Sequence, residues 1–180
     1  GEVVAVVPYS RLSWLQVHLP PASHGTRLHT VLQGLLEDRL LDDPTQLHLA
    51  LPPHAHAVAR TGGALLVAAC DKAWLRAVLA PLQEAGLTVQ RLVPELAPSA
   101  TPTLHVMGEP DQAHSVLCHA QGVTALPPNV AQWHAFAALR PDDWQIQAEP
   151  AMVSRVQHTL QRQPMLQSAA QRWVQASQSD

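Results

Sequence analysis

Thr26–Leu51 reads TRLHTVLQGLLEDRLLDDPTQLHLAL and divides into a helix, a stop and a strand. Thr26 stands just before the periodic run, where its hydroxyl can accept a free amide of the first helical turn. Leu28, Val31, Leu32, Leu35, Leu36 and Leu40 recur at three- and four-residue spacing and build one apolar stripe. Thr30, Gly34 and Glu37 fall on the opposite side. Arg39 falls inside the stripe, between the angles of Leu28 and Leu32. A guanidinium there needs an acid partner or a route past the core edge, because an unpaired buried charge is strongly destabilising. Asp71 and Glu95 are the acids expected to pair with Arg39, as a structural tie without catalytic meaning. Asp42-Asp43-Pro44 stops the helix: Pro44 disfavours helical geometry at Asp43, and two acids at a helix C-terminus oppose its dipole. Gln46–Leu51 then alternates polar and apolar residues, the pattern of a half-buried strand.

Upstream, Val3–Val7 is a β-branched run that predicts a buried first strand. Pro8–Arg11 turns it, and Leu12–Leu19 predicts a second strand paired with the first as a hairpin. Trp14, Gln16 and His18 share one face of that strand, and Leu15, Val17 and Leu19 the other. Downstream, Pro52–His56 breaks the chain, Ala57–Arg60 is expected as a short edge strand, and Thr61–Gly63 as a turn. Ala64–Cys70 is the most hydrophobic run and predicts a central strand. Asp71 is placed to cap a helix over Lys72–Ala85, with Trp74, Leu75, Val78, Leu79 and Leu82 as its stripe and Gly86 closing it. Pro81 should kink or loosen its last turn. Thr88–Val93 reads as a strand. Strands and helices in this order predict an α/β unit with a mixed sheet and flanking helices.

Leu96–Pro102, rich in Pro, Ala and Ser, reads as a linker between residues 1–97 and a smaller α/β unit over 102–180. There Thr103–Met107, Ser115–Cys118, Gly122–Leu126 and Trp144–Ala148 read as strands. Val130–Leu139, Pro150–Leu160 and Gln167–Ala176 read as helices, the last anchored by Trp173 and Val174. Both halves start with strands and end in helices, yet no residue-level repeat at a fixed period is present.

Composition narrows the function. The chain has 180 residues, 47% of them hydrophobic, and a net charge of -3. Its cations are single arginines and one lysine, Lys72, without the clustered basic stripe that nucleic acid requires. Cys70 and Cys118 both lie in apolar runs and read as reduced core thiols. No apolar run reaches the about 20 residues of a membrane span, and Glu2 with Val3–Val7 lacks the charge layout of a signal peptide.

VVAVVPYSRLSWLQVHLP, RLHTVLQGLLEDRLLDDPTQLHLAL, VAACDKAWLRAVLAPLQEAGL and RLVPE occur in that order and resemble the cytoplasmic region of type II secretion system protein L, also called general secretion pathway protein L. LLEDRLLDDP with the HLA strand, and the CDKAWL helix start, are the most specific parts, and the resemblance covers residues 3–95. It implies two RNase H-like lobes of a degenerate actin-like ATPase fold. It also implies the cytoplasmic face of a bacterial inner membrane, recruitment of the secretion ATPase (protein E) through that enzyme's N-terminal domain, and a span after Asp180 with protein M as neighbour.

An actin-like fold raises the question of nucleotide binding, the alternative reading of the chain. Phosphate-holding turns use Gly, Asp and backbone amides. Val7–Arg11 has neither Gly nor Asp, Pro8 lacks an amide, and Met107–Pro110 retains one Gly beside a Met. A fold kept after its nucleotide site was lost is the preferred reading, with no cofactor and no enzymatic activity. Eleven histidines invite a metal, but His54 with His56, or His114 with Cys118 and His119, falls short of four ligands at usual spacing. No GxSxG elbow is present, and a thiol in the apolar run of Cys70 is inert. Partner binding remains. Glu37, Asp38, Asp42 and Asp43 make a negative helix end that would steer a cation-rich partner. The Ala57–Arg60 edge is a second candidate. The Trp173 helix is a third, as a stalk or as the contact of a homodimer.

Overall fold

A computed structural model describes residues 2–23, 25–37, 43–126 and 145–162. Two compact units divide the chain, Gly1–Leu96 and Ala97–Asp180.

In the first unit, β2 (Ser13–Leu19), β3 (Leu47–Ala50) and β4 (Gly63–Asp71) form an antiparallel sheet in the order β2-β4-β3. The central place of β4 follows from its sequence, since Leu65, Val67, Ala68, Ala69 and Cys70 are all buried. Side-chain alternation splits the sheet into two faces. Val17 and Leu19 of β2 and Leu65 and Val67 of β4 pack under Leu28, Leu32 and Leu36 of α1 (Arg27–Glu37) and under Ala55 and Ala59 of α2 (Ala55–Thr61). The leucine stripe therefore does what its spacing predicts. The other face carries Cys70, which clusters with Val7 of β1 (Val3–Val7) and Leu75 of α3 (Lys72–Glu84). Asp71 caps α3, its Oδ1 accepting the Trp74 amide at 2.6 Å. Gly86, at φ +77°, ends it: the Gly86 amide donates to Gln83 and the Leu87 amide to Leu82, a Schellman closure.

Four expectations are corrected. β1 does not form a hairpin with β2; it runs parallel to β5 (Val89–Pro94) in a sheet of two strands. The Pro8–Leu12 connection is a 3-10 turn over Tyr9–Arg11, not a tight hairpin turn, and β2 is drawn to β4 by the apolar face it shares with the α1 core. Nor is β1 buried on both faces: Val4 is 41% and Val6 60% exposed. Its valines report strand preference rather than depth. The expected edge strand over Ala57–Arg60 is helix α2. Ala55 and Ala59 are buried one helical turn apart, and alanine is the strongest helix former. The strand at Gln46 starts one residue later, after a 3-10 turn over Pro44–Gln46.

In the second unit, β6 (Thr103–Met107), β7 (His114–His119), β8 (Gly122–Leu126) and β9 (Gln145–Ala148) pair in the order β8-β7-β6-β9. β6, β7 and β8 are antiparallel neighbours, and β9 runs parallel to β6. Here the unit does open on an antiparallel pair, β6 with β7. Leu104, Val106, Val116, Leu117 and Cys118 are buried in it with Met152 and Val156. A 3-10 turn over Pro150–Met152 leads into α4 (Val153–Arg162), a later helix start than Pro150. The helices expected at 130–139 and 167–176, with Trp173, lie outside the described residues.

Candidate functional site

The acidic end of α1 is the first site to build. Glu37 is exposed in its last described turn, and Asp43 is exposed at the start of the Pro44–Gln46 turn. Asp38, Arg39 and Asp42 lie outside the described residues. Asp43 is more than a helix stop: its Oδ1 accepts the Thr45 amide at 2.8 Å, capping the next turn. Hydrogen bonds from the Thr45 amide and then its hydroxyl hold the Asp43 carboxyl below the usual carboxylate range, with a smaller contribution from Lys72. The Lys72 ammonium donates to the Thr45 carbonyl at 2.6 Å, so one cation reaches into this corner.

The acids expected opposite Arg39 hold backbone amides. Asp71 caps α3, and Glu95 Oε2 accepts the Tyr9 amide at 3.1 Å. A carboxylate offers about four lone-pair sites, so these bonds leave room for a guanidinium. The Arg11 guanidinium lies 5.4 Å from the centre of the Trp74 ring, and its charge partly offsets the upward shift of the Cys70 thiol. Burial dominates there and pushes the Cys70 thiol up, as does the Asp71 charge. Burial likewise pushes the Cys118 thiol up. Neither is an activated nucleophile.

A groove of about 360 Å³ opens on the sheet face away from α1, lined by Trp14, His48, Leu66, Ala68, Leu75 and Leu92 among others. Sequence reading placed Trp14 and His48 on their faces but not the groove, which needs β1, β5 and α3 brought over the sheet. It offers apolar surface and little polar chemistry. The Trp14 Nε1 atom is buried without a hydrogen-bond partner among the described residues.

The histidine candidates separate. His54 precedes α2 and His56 lies on it. On β7, His114 is exposed, Cys118 is buried, and His119 is half-buried with its Nε2 3.4 Å from Thr124 Oγ1. Among the described residues no group of three or more His, Cys, Asp and Glu is placed to hold a metal.

Each unit also has a turn after its first strand. In the first, Pro8 precedes the Tyr9–Arg11 turn. In the second, Gly108 has φ +91°, and its amide donates to Glu149 Oε2 at 2.7 Å. Sequence reading missed both carboxylates, Glu95 and Glu149, as turn partners.

The family described as type II secretion system (T2SS), protein L matches residues 1–102. No curated protein sequence matches the chain. Among solved structures, the cytoplasmic domain of EpsL, an inner membrane component of the type II secretion system of Vibrio cholerae, is 23% identical, with a TM-score of 0.58. The match covers 82% of this chain and 62% of that one, so the chain spans less than two thirds of that domain's length. A PilM-PilN type IV pilus biogenesis complex chain is 14% identical over 99% of this chain and 56% of that one, with a TM-score of 0.44. The α/β fold with mixed sheets is shared with the EpsL domain.

Proposed function

The chain belongs to the type II secretion system protein L family, and from that premise we propose that it is the cytoplasmic part of an inner-membrane secretion platform and docks the secretion ATPase. The observation that carries this reading is the family match over residues 1–102, which spans the whole first unit. That unit holds the acidic corner of Glu37 and Asp43, and the proposed contact is a cation-rich surface of the ATPase's N-terminal domain. Asp38 and Asp42 belong to the same proposed contact, and the Arg39 pair with Asp71 or Glu95 is proposed as the tie behind it. Movement of the ATPase would pass through this chain to a membrane span following it, beside protein M. A homodimer and a non-enzymatic role belong to the same reading.

Size-exclusion chromatography tests the proposal. The chain and the ATPase's N-terminal domain, mixed at roughly tens of micromolar, should co-elute as one complex, as expected for micromolar affinity. Separate elution of two folded partners would count against docking by this region.

A further inference from the structure

The two units share one local device that no sequence repeat reveals. β1 lies beside parallel β5, and β6 beside parallel β9. Val7 stands opposite Pro94, and Val106 opposite Ala148. The residue just after the second strand is a glutamate in both cases, Glu95 and Glu149. Glu95 donates its backbone amide to the Val7 carbonyl at 2.8 Å, and Glu149 to the Val106 carbonyl at 3.0 Å. Each carboxylate then accepts the amide two residues beyond that carbonyl. Tyr9 donates to Glu95 Oε2 at 3.1 Å, and Gly108 to Glu149 Oε2 at 2.7 Å. Every offset is the same in the two units.

The place matters chemically. Open α/β sheets take ligands just beyond the carboxyl ends of their parallel strands, and turn amides that project there favour anions. Here that place is filled from within. The carboxylate comes from a residue whose own backbone is already bonded into the sheet, so holding it takes side-chain freedom but no further backbone freedom. Its charge strengthens the amide bond, and a second anion would meet both the occupied amide and a like charge. We propose that Glu95 and Glu149 are built-in anions that close both turns to external anions such as phosphate, an autoinhibitory contact repeated once per unit.

The test uses the whole chain labelled with ¹⁵N and inorganic phosphate as the probe. In the wild type, neither the Tyr9 nor the Gly108 amide signal should shift saturably. In Glu149→Ala the Gly108 signal should shift saturably and the Tyr9 signal should not, and Glu95→Ala should give the converse. A saturable shift in the wild type overturns the proposal, as does a folded alanine variant whose freed amide ignores phosphate. Glu95→Gln and Glu149→Gln guard against loss of fold, because each keeps an acceptor oxygen at the same reach. Each should speed hydrogen exchange at its own turn amide roughly fivefold, the difference between a charged and a neutral acceptor. Unchanged exchange in both glutamine variants overturns the proposal too.

Discussion

Asp71 and Glu95 show what single residues disclose in a sequence and what they do not. Asp71 stands directly before an apolar run of helical period, so its capping role is readable from local order alone. Glu95 serves an amide 86 residues away, and no local pattern points from one to the other. Asp71→Ala removes the acceptor of the Trp74 amide and should cost about 1 kcal/mol, read as a lower denaturant midpoint with an unchanged slope. A midpoint equal to wild type would mean that solvent caps α3 as well as the carboxylate does. His105 makes a prediction in pH. It lies in the middle of β6, between β7 and β9, and burial lowers its pKa from the ordinary value. Below about pH 6.5 the unfolded chain takes the proton first, so it binds more protons than the fold. Stability from this group is therefore full above that pH and declines as pH falls towards the lowered folded value. An NMR titration of the His105 ring should give a midpoint below 6.5, and a midpoint at or above it would reject the burial argument.

Whether an element could be read depended on whether its signals were its own. α3 has a cap, a stripe and a glycine stop in a row, and it forms as read, with Pro81 accommodated in its last turns. α1 is carried by its leucines in the same way. α2 failed because Ala55–Thr61 is short and lies between Pro53 and Gly62, and its helical period shows only in the burial of Ala55 and Ala59. The β1–β2 hairpin failed for a different reason: pairing is decided by which faces share a core, which lies beyond local pattern. The glycines that end two helices separate backbone strain from close packing. Gly62 after α2 has φ +80° and Gly86 after α3 has φ +77°. A Cβ at Gly86 would meet nothing within 4 Å, whereas at Gly62 it would lie 3.0 Å from the Pro21 nitrogen and 3.3 Å from the Leu19 carbonyl oxygen. Gly86→Ala should therefore cost only the left-handed strain of about 1–2 kcal/mol. Gly62→Ala should cost that and about 1–3 kcal/mol more, for displacing the Leu19–Pro21 backbone. Equal losses in thermal or chemical unfolding would show that this backbone yields freely.

At the scale of the whole molecule, composition and element order reached the α/β class, and the family signature lies in the first unit, where the match over residues 1–102 falls. The groove was not readable, because its walls come from β1, α3 and the sheet, segments far apart in the chain. The acidic corner was readable as charge but not as structure: Asp43 caps a turn, and Lys72 bonds beside it. That distinction shapes the test of the docking surface. Reversing Asp43 would disturb the turn as well as the charge, so Asp43→Asn, which keeps an acceptor oxygen, is paired with Glu37→Gln at an exposed helix position. If these acids steer a cation-rich partner, the double variant should slow association with the ATPase domain several-fold and leave dissociation nearly unchanged. Raising salt from about 0.1 to about 1 M shortens the screening length from about 10 to about 3 Å and should remove most of the difference between wild type and variant. An association rate that ignores both the variant and the salt would place the contact away from α1, and the apolar groove of the same unit would become the surface to substitute next.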